Sequence, residues 1–225
     1  MKPHERHTDD HESLRFKGDA MNKPTFIVHL LSGGFDSVTA LHWLHGQGCK
    51  IHCCLVDYGQ RHVQELGFAK HHAGQLGLLY STVTVSQLRG SSLTDGKGGM
   101  VVPFRNSVLL SHACNLAAVC GAEIVTYACN KDDEKNFPDC RKGFIKAFNK
   151  VLEESEINVQ VAAPFIDKAK WEIADLARQM GVDVSQTWSC YRGGQEPCGE
   201  CEACKKREEA LAHENVLPDQ RKQVV

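Results

Sequence analysis

The sequence predicts an α/β protein, a doubly wound parallel sheet with helices on both faces and a cysteine-rich segment at its C-terminal end. Short apolar runs alternate with helix-period stripes from residue 26 to residue 181, the order that parallel strands joined by crossover helices require. Glycine follows the helical stripes at Gly77, Gly121 and Gly181, where it suits a left-handed C-terminal cap. A turn of serine and glycine joins the first apolar run to the first helical stripe, at the strand ends where such sheets hold ligands.

Taken in order, Phe26 to Leu31 reads as a buried strand and Asp36 to His45 as a helix. Ile51 to Asp57 is the second strand, after which Val63, Leu66, Ala69, Ala73 and Leu76 keep helical spacing up to Gly77. Leu79 to Val85 is the third strand, and beyond the loop Gly90 to Gly99 the residues Leu109, Ala113, Leu116 and Cys120 stripe a helix. Glu123 to Cys129 is a strand, Phe144, Phe148 and Val151 stripe a helix, and Val159 to Ala162 is a short strand before Pro164. Ile173, Ala177 and Met180 stripe the next helix. Past residue 185 the periodicity gives way to a cysteine knot, a charged helix over Glu202 to His213 and a polar end. Residues 1–23 carry too few apolar side chains to repay ordering and are expected to form a tail. The expected domains are therefore 24–185, the α/β unit, and 186–225, the cysteine-rich segment.

Composition narrows the function. The 225 residues are 42% hydrophobic and 24% charged, ordinary for one globular domain. No apolar run approaches the ~20 residues of a membrane span, and the charged N-terminus is not a signal h-region, so a cytoplasmic location without membrane contact is expected. Twenty-six Lys plus Arg against 28 Asp plus Glu leave a net charge of −2, too little positive charge for a dedicated nucleic-acid binder. Four of the 11 cysteines, Cys190, Cys198, Cys201 and Cys204, crowd one segment. The scattered ones, such as Cys53, Cys54, Cys114 and Cys120, read as small buried hydrophobes.

Two constellations carry chemistry. In Leu31-Ser32-Gly33-Gly34-Phe35-Asp36-Ser37-Val38, glycine lets the backbone approach a phosphate, and a helix N-terminus with the Ser32 and Ser37 hydroxyls can cradle a polyphosphate. Asp36 reads either as a Mg²⁺ ligand or as a plain helix cap. The string is neither GxGxxG nor GxxxxGK[ST], so dinucleotide binders and P-loop enzymes lose their warrant. Cys190 followed by CxxCxxC offers four soft donors suited to tetrahedral Zn²⁺ in a closed, structural site. An iron–sulfur cluster and a redox CxxC are the alternatives.

SGGFDS resembles the pyrophosphate loop of the N-type ATP pyrophosphatases, which implies an adenine nucleotide alpha hydrolase-like sheet, bound ATP and an adenylated intermediate. Further strings resemble one family of that group, the 7-cyano-7-deazaguanine synthases: Asp57 to His62 (DYGQRH), Val102 to Asn106 (VPFRN), Asn130, Pro138 to Arg141 (PDCR), Ile166-Asp167 with Lys170 and Glu172, and Thr187 to Tyr191 (TWSCY). The resemblance implies conversion of 7-carboxy-7-deazaguanine and ammonia to the 7-cyano base, using ATP, Mg²⁺ and a Zn²⁺ held by the four cysteines. It also implies a homodimer with no direct nucleic-acid partner. Asp36, Lys170 and Arg105 are the expected catalytic groups. Tyr58, Gln60 and Arg61 are expected beside adenosine, and Asn106, Asp133 and Asp139 at the deazaguanine. The stretch Asp133 to Cys140 and Phe104 depart from the family's usual residues, which puts the base edge in question. A pyrophosphatase-type tRNA thiolase, a variant stopping at the 7-amide and an inactive zinc-ribbon module are the competing readings.

Overall fold

The structure is a computed structural model, and it describes residues 24–213. The expected tail over 1–23 and the polar end past 213 lie outside the described residues. Five parallel strands, β1 (Phe26–Leu30), β2 (Lys50–Asp57), β3 (Leu79–Thr84), β4 (Ile124–Thr126) and β5 (Gln160–Ala162), form one sheet in the order β3-β2-β1-β4-β5. The helices are α1 (Phe35–Gly46), α2 (Glu65–Gln75), α3 (Arg105–Cys120), α4 (Lys142–Glu154), α5 (Lys170–Gln179) and α6 (Glu202–Ala212).

Strand alternation divides the core. Ile27, Cys53 and Leu55 face α1, α2 and α5, while Val28, Cys54, Val56 and Val125 face α3 and α4. Both strand faces are covered, so the apolar runs are nearly continuous, as a parallel sheet demands. Gly77, Gly121 and Gly181 take φ of 63°, 77° and 65° where helices end. Cys53, Cys54 and Cys114 are buried and Cys120 half-buried; burial pushes the first three thiols up to about 12, 11 and 12, so they remain neutral. None of the helices among the described residues is long and apolar enough to cross a membrane.

Several elements differ from the sequence expectation. The ladder of β4 ends at Thr126 rather than Cys129, because the chain turns at Asn130, whose side-chain oxygen accepts the Asp132 and Asp133 amides at 2.9 and 3.1 Å. Helix α3 starts at Arg105, and its inward face is Asn106, Leu110, Ala113, Cys114 and Ala117. Its small inward residues let it lie close on the sheet. In α4 the inward residue is Leu152, with Val151 59% exposed, and Val63 precedes α2 and is exposed. Short 3₁₀ turns at Asp133–Lys135 and Pro138–Cys140 carry no periodic signal. Winding reverses at β1, so the loops after β1 and β4 diverge and open a crevice at the strands' C-terminal ends.

Candidate functional site

The crevice is walled by the loop after β1, the ends of β2 and β4, the starts of α3 and α5, and α6. The β1 loop is braced from below. His29, fully buried, has Nε2 3.0 Å from the Ser37 carbonyl and Nδ1 2.8 Å from Thr126 Oγ1. The ring therefore donates to the carbonyl and accepts from the hydroxyl. Burial pulls its pKa down to about 4, so it stays neutral. Ser32 Oγ accepts the Gly34 amide at 3.1 Å and lies 2.9 Å from Ser37 Oγ. Gly33 has φ +86°, and a Cβ there would stand 1.9 Å from the Glu65 carbonyl oxygen. Only glycine lets the loop rest on α2 in this way. Leu31, Ser32, Gly34, Phe35, Asp36 and Ser37 line the cavity, whereas Val38 is buried in the core.

At the start of α1, Asp36 meets groups from two other elements. Lys170 Nζ donates to Oδ1 and Oδ2 at 3.0 and 2.7 Å, and Asn130 Nδ2 donates to Oδ2 at 3.0 Å. The Lys170 amide donates to Asp132 Oδ2 at 2.9 Å, which ties α5 to the loop after β4. Asp133 lines the same cavity; burial, then the neighbouring Asp36 charge, push its carboxyl up to about 6 against the pull of Lys170. Two carboxylates, one ammonium and free helix N–H groups thus converge where an anionic ligand and a divalent cation would each find partners.

The opposite wall is made by Tyr58, His62, Glu65, Arg105, Asn106 and Tyr191. The Arg105 guanidinium stays charged, because Tyr58, Asp139 and Cys140 together outweigh the cost of its burial and raise its pKa. Gln60 is turned away from the cavity, donating to the Val56 carbonyl and Glu65 Oε1, both at 3.3 Å. Arg61 is exposed and reaches the Ser92 carbonyl at 3.5 Å. Asp139 stands behind the wall, where its backbone carbonyl accepts the Tyr127 hydroxyl at 3.0 Å. Asn106 Nδ2 is 3.8 Å from Cys140 Sγ on the cavity floor.

Glu65 is buried, and desolvation pushes it up to about 8 despite its bond from Gln60 and the charge of Arg105. A carboxyl raised above its unfolded pKa of about 4.3 contributes stability that is present below that value and is lost as pH climbs through about 8. Glu65→Gln is therefore expected to gain on the parent, by the order of a few kcal/mol, as pH rises from about 5 to about 8.5. Denaturant melts across that range check this; a stability gap independent of pH contradicts it.

The four cysteine sulfurs at 190, 198, 201 and 204 lie within 4.8 Å of one another. Thiolates 2.3 Å from a tetrahedral ion would stand about 3.8 Å apart, so the donor set fits a single metal ion. The Cys201 and Cys198 amides point at Cys198 and Cys190 Sγ, 3.3 and 3.4 Å away. Donation from the Cys201 and Glu200 amides brings the Cys198 thiol down to about 6. Cys204 belongs to α6, and Arg207 of that helix donates to the Thr187 carbonyl and hydroxyl at 3.0 and 2.7 Å and to the Val184 carbonyl. The cluster thereby holds Trp188, Ser189, Tyr191, Glu202 and Lys206 on the cavity wall.

Sequence reasoning passed over His29, His62, Glu65, Asp132 and Arg207 as site-building residues. His62 lies inside DYGQRH and Glu65 three positions on, so proximity to a quoted string was the available signal. For His29, a polar residue inside a buried strand was the signal.

The family model described as "Queuosine biosynthesis protein QueC" matches residues 26–215. Curated relatives called 7-cyano-7-deazaguanine synthase include one from Psychromonas ingrahamii, 35% identical over 83% of this chain and 92% of its own length. Another, from Caldicellulosiruptor bescii, is 37% identical over 82% of this chain and 91% of its own. Among solved structures, the U34-tRNA thiolase NcsA from Methanococcus maripaludis with its [4Fe-4S] cluster aligns with TM-score 0.57 and 15% identity over 88% of this chain and 66% of that one. That likeness carries the fold alone.

Proposed function

The chain belongs to the family of queuosine biosynthesis protein QueC, and from that membership we infer that it is a 7-cyano-7-deazaguanine synthase. It joins 7-carboxy-7-deazaguanine and ammonia at the expense of ATP. The observation that carries this reading at the residue level is the Asp36–Lys170 pair beside the Ser32–Ser37 loop, at the reversal point of a parallel sheet.

A carboxylate resists ammonia because its oxygen leaves poorly. Attack of that oxygen on the α-phosphorus, with loss of pyrophosphate, makes AMP the leaving group. Ammonia then gives the amide. Removing the amide oxygen needs a second adenylation in the same pocket, and loss of AMP with a proton leaves the nitrile. The loop N–H groups and the Ser32 and Ser37 hydroxyls hold the polyphosphate. Lys170 and Arg105, on facing walls, balance the negative charge that grows as pyrophosphate departs. Tyr58 lies toward adenosine, and Asn106 and Asp133 toward the deazaguanine. Asp36 and Asp133 would hold Mg²⁺, which neutralises polyphosphate charge when bound. The four cysteines would hold Zn²⁺ as a structural ion. The reading includes a homodimer that makes a free base without touching nucleic acid.

Incubating the protein with ATP, Mg²⁺, ammonium and the carboxy base, then weighing the product, tests this. The nitrile is expected. The amide as sole product would identify a stalled variant, and no ATP-dependent product at all would contradict the reading.

A further inference from the structure

A 7-deazaguanine carries a ring N–H and a 2-amino group side by side, at the end of the bicycle farthest from its reacting 7-carboxyl. Two adjacent donors of this kind are matched by the two oxygens of a carboxylate. Five carboxyl side chains line the cavity: Asp36, Asp132, Asp133, Glu65 and Glu202. Four of them are committed elsewhere. Asp36 is held by Lys170 and Asn130, and Asp132 Oδ2 accepts the Lys170 amide. Asp133 stands beside Asp36, and its Oδ2 accepts the Asn130 amide at 3.3 Å. Glu65 accepts from Gln60 and is pushed by burial up to about 8, so it is neutral where an acceptor is needed.

Glu202 is different. It opens α6, and its Oε1 lies 2.7 Å from Lys206 Nζ and accepts Asn136 Nδ2 at a long 3.3 Å. Both partners are on the same oxygen. Oε2 makes no hydrogen bond among the described residues, and it is not closed off: the side chain is 38% exposed, and the sealed, unpaired nitrogen or oxygen among these residues is His62 Nδ1. The free oxygen is therefore within reach of a ligand in the cavity.

Aromatic faces stand close by. Phe137 and Tyr191 line the same cavity. Asn136 immediately precedes Phe137, so its bond to Glu202 brings that ring to the carboxylate. Burial first, then the Asp133 charge and more weakly that of Glu202, push the Tyr191 phenol up, which sets Tyr191 near both acids. Flat heteroaromatic bases stack on such rings. We propose that Glu202 is the specificity-determining residue for the base, its carboxylate accepting the ring N–H and the 2-amino hydrogens while Phe137 and Tyr191 supply apolar faces for the bicycle. The long bond from Asn136 is the one exchanged for the ligand, and Lys206 keeps the carboxylate in place. The proposal rests on the reading of the chain as a deazaguanine synthase.

The test follows AMP release by the full chain with saturating ATP, Mg²⁺ and ammonium, on the carboxy base and on its analogue lacking the 2-amino group. The parent is expected to favour the 2-amino base by about a hundredfold in kcat/KM. In Glu202→Ala that preference is expected to shrink to about threefold or less, with the KM for the base raised and the KM for ATP within about threefold of the parent. Glu202→Gln keeps the shape but turns an amide N–H toward the ring N–H, and its preference is expected to fall as well. Damage to folding slows both bases alike, so the ratio reads recognition alone. A preference retained in Glu202→Ala, or absent from the parent, overturns the proposal. An equal fall on both bases with loss of the bound metal also overturns it, by showing Glu202 to be an anchor of the cysteine cluster. A parent that releases no AMP on either base removes the functional reading and this proposal together, whereas an active parent whose variants discriminate as it does sinks the proposal alone.

Discussion

Lys170→Ala is expected to lower ATP-dependent AMP formation by about a hundred- to a thousandfold while moving the melting temperature by only a few degrees. Both halves of that expectation come from geometry. The ammonium lies 2.7 and 3.0 Å from the two Asp36 oxygens, beside the Ser32–Ser37 loop. The Arg207 guanidinium also approaches the helix start, 6.0 Å from the Phe35 ring centroid, but its bonds go to Thr187 and Val184. The pair is partly solvated, at 18% and 16% side-chain exposure, so water can replace the missing ammonium and Asn130 still donates to the carboxylate. The link from the Lys170 amide to Asp132 is made by backbone and survives the substitution. Release of labelled AMP under saturating substrates gives kcat directly. A loss of threefold or less would show that Lys170 is a surface cation without a part in the chemistry.

Cys201→Ser is expected to strip the C-terminal metal, lower the melting temperature by about 10 °C or more and reduce activity at least tenfold. A domain of this size has its own core and does not need a metal to fold. The loss should therefore begin locally, with residues 190 to 213. Proteolysis of the variant would then cut first around α6. Activity follows because α6 and the segment before the cluster supply Trp188, Ser189, Tyr191, Glu202 and Lys206 to the cavity. Arg207 cannot retain its bonds to Thr187 and Val184 once the helix detaches. Elemental analysis of the parent is expected to find about one zinc per chain. Iron in its place would overturn the zinc assignment, and a variant that keeps both its melting temperature and its activity would show that the cluster has no structural part.

Much of the fold was legible because parallel strands and amphipathic helices announce themselves by period. Phe26, Ile51 and Leu79 mark strands near where the sheet has them, and Gly77, Gly121 and Gly181 mark helix ends through a backbone conformation that other residues resist. The failures share a cause. The end of β4, the 3₁₀ turns around Asp133 and Pro138, and the start of α3 are decided by side-chain bonds and by contacts distant in sequence, such as Asn130 to Asp36. The helix stripe misjudged Val151, which is 59% exposed, because an apolar side chain at helical spacing need not face the core. Within the site, the glycine loop and the cysteines were readable since each is a local string with its own chemistry. The His29 brace, the Gln60–Glu65–His62 group and the Arg207 clasp join separated segments, and spacing along the chain says nothing of them. Gln60, Arg61 and Asp139 were candidates by their neighbours in sequence, yet their side chains do not line the cavity.

The central claim is that one phosphate loop serves two successive adenylations. Counting AMP against product, with labelled ATP and a limiting amount of the carboxy base, tests it most directly. About two AMP per nitrile, with the amide appearing and disappearing between them, is the expected result. One AMP per nitrile, or nitrile formed with ADP and phosphate as the nucleotide products, would contradict the account.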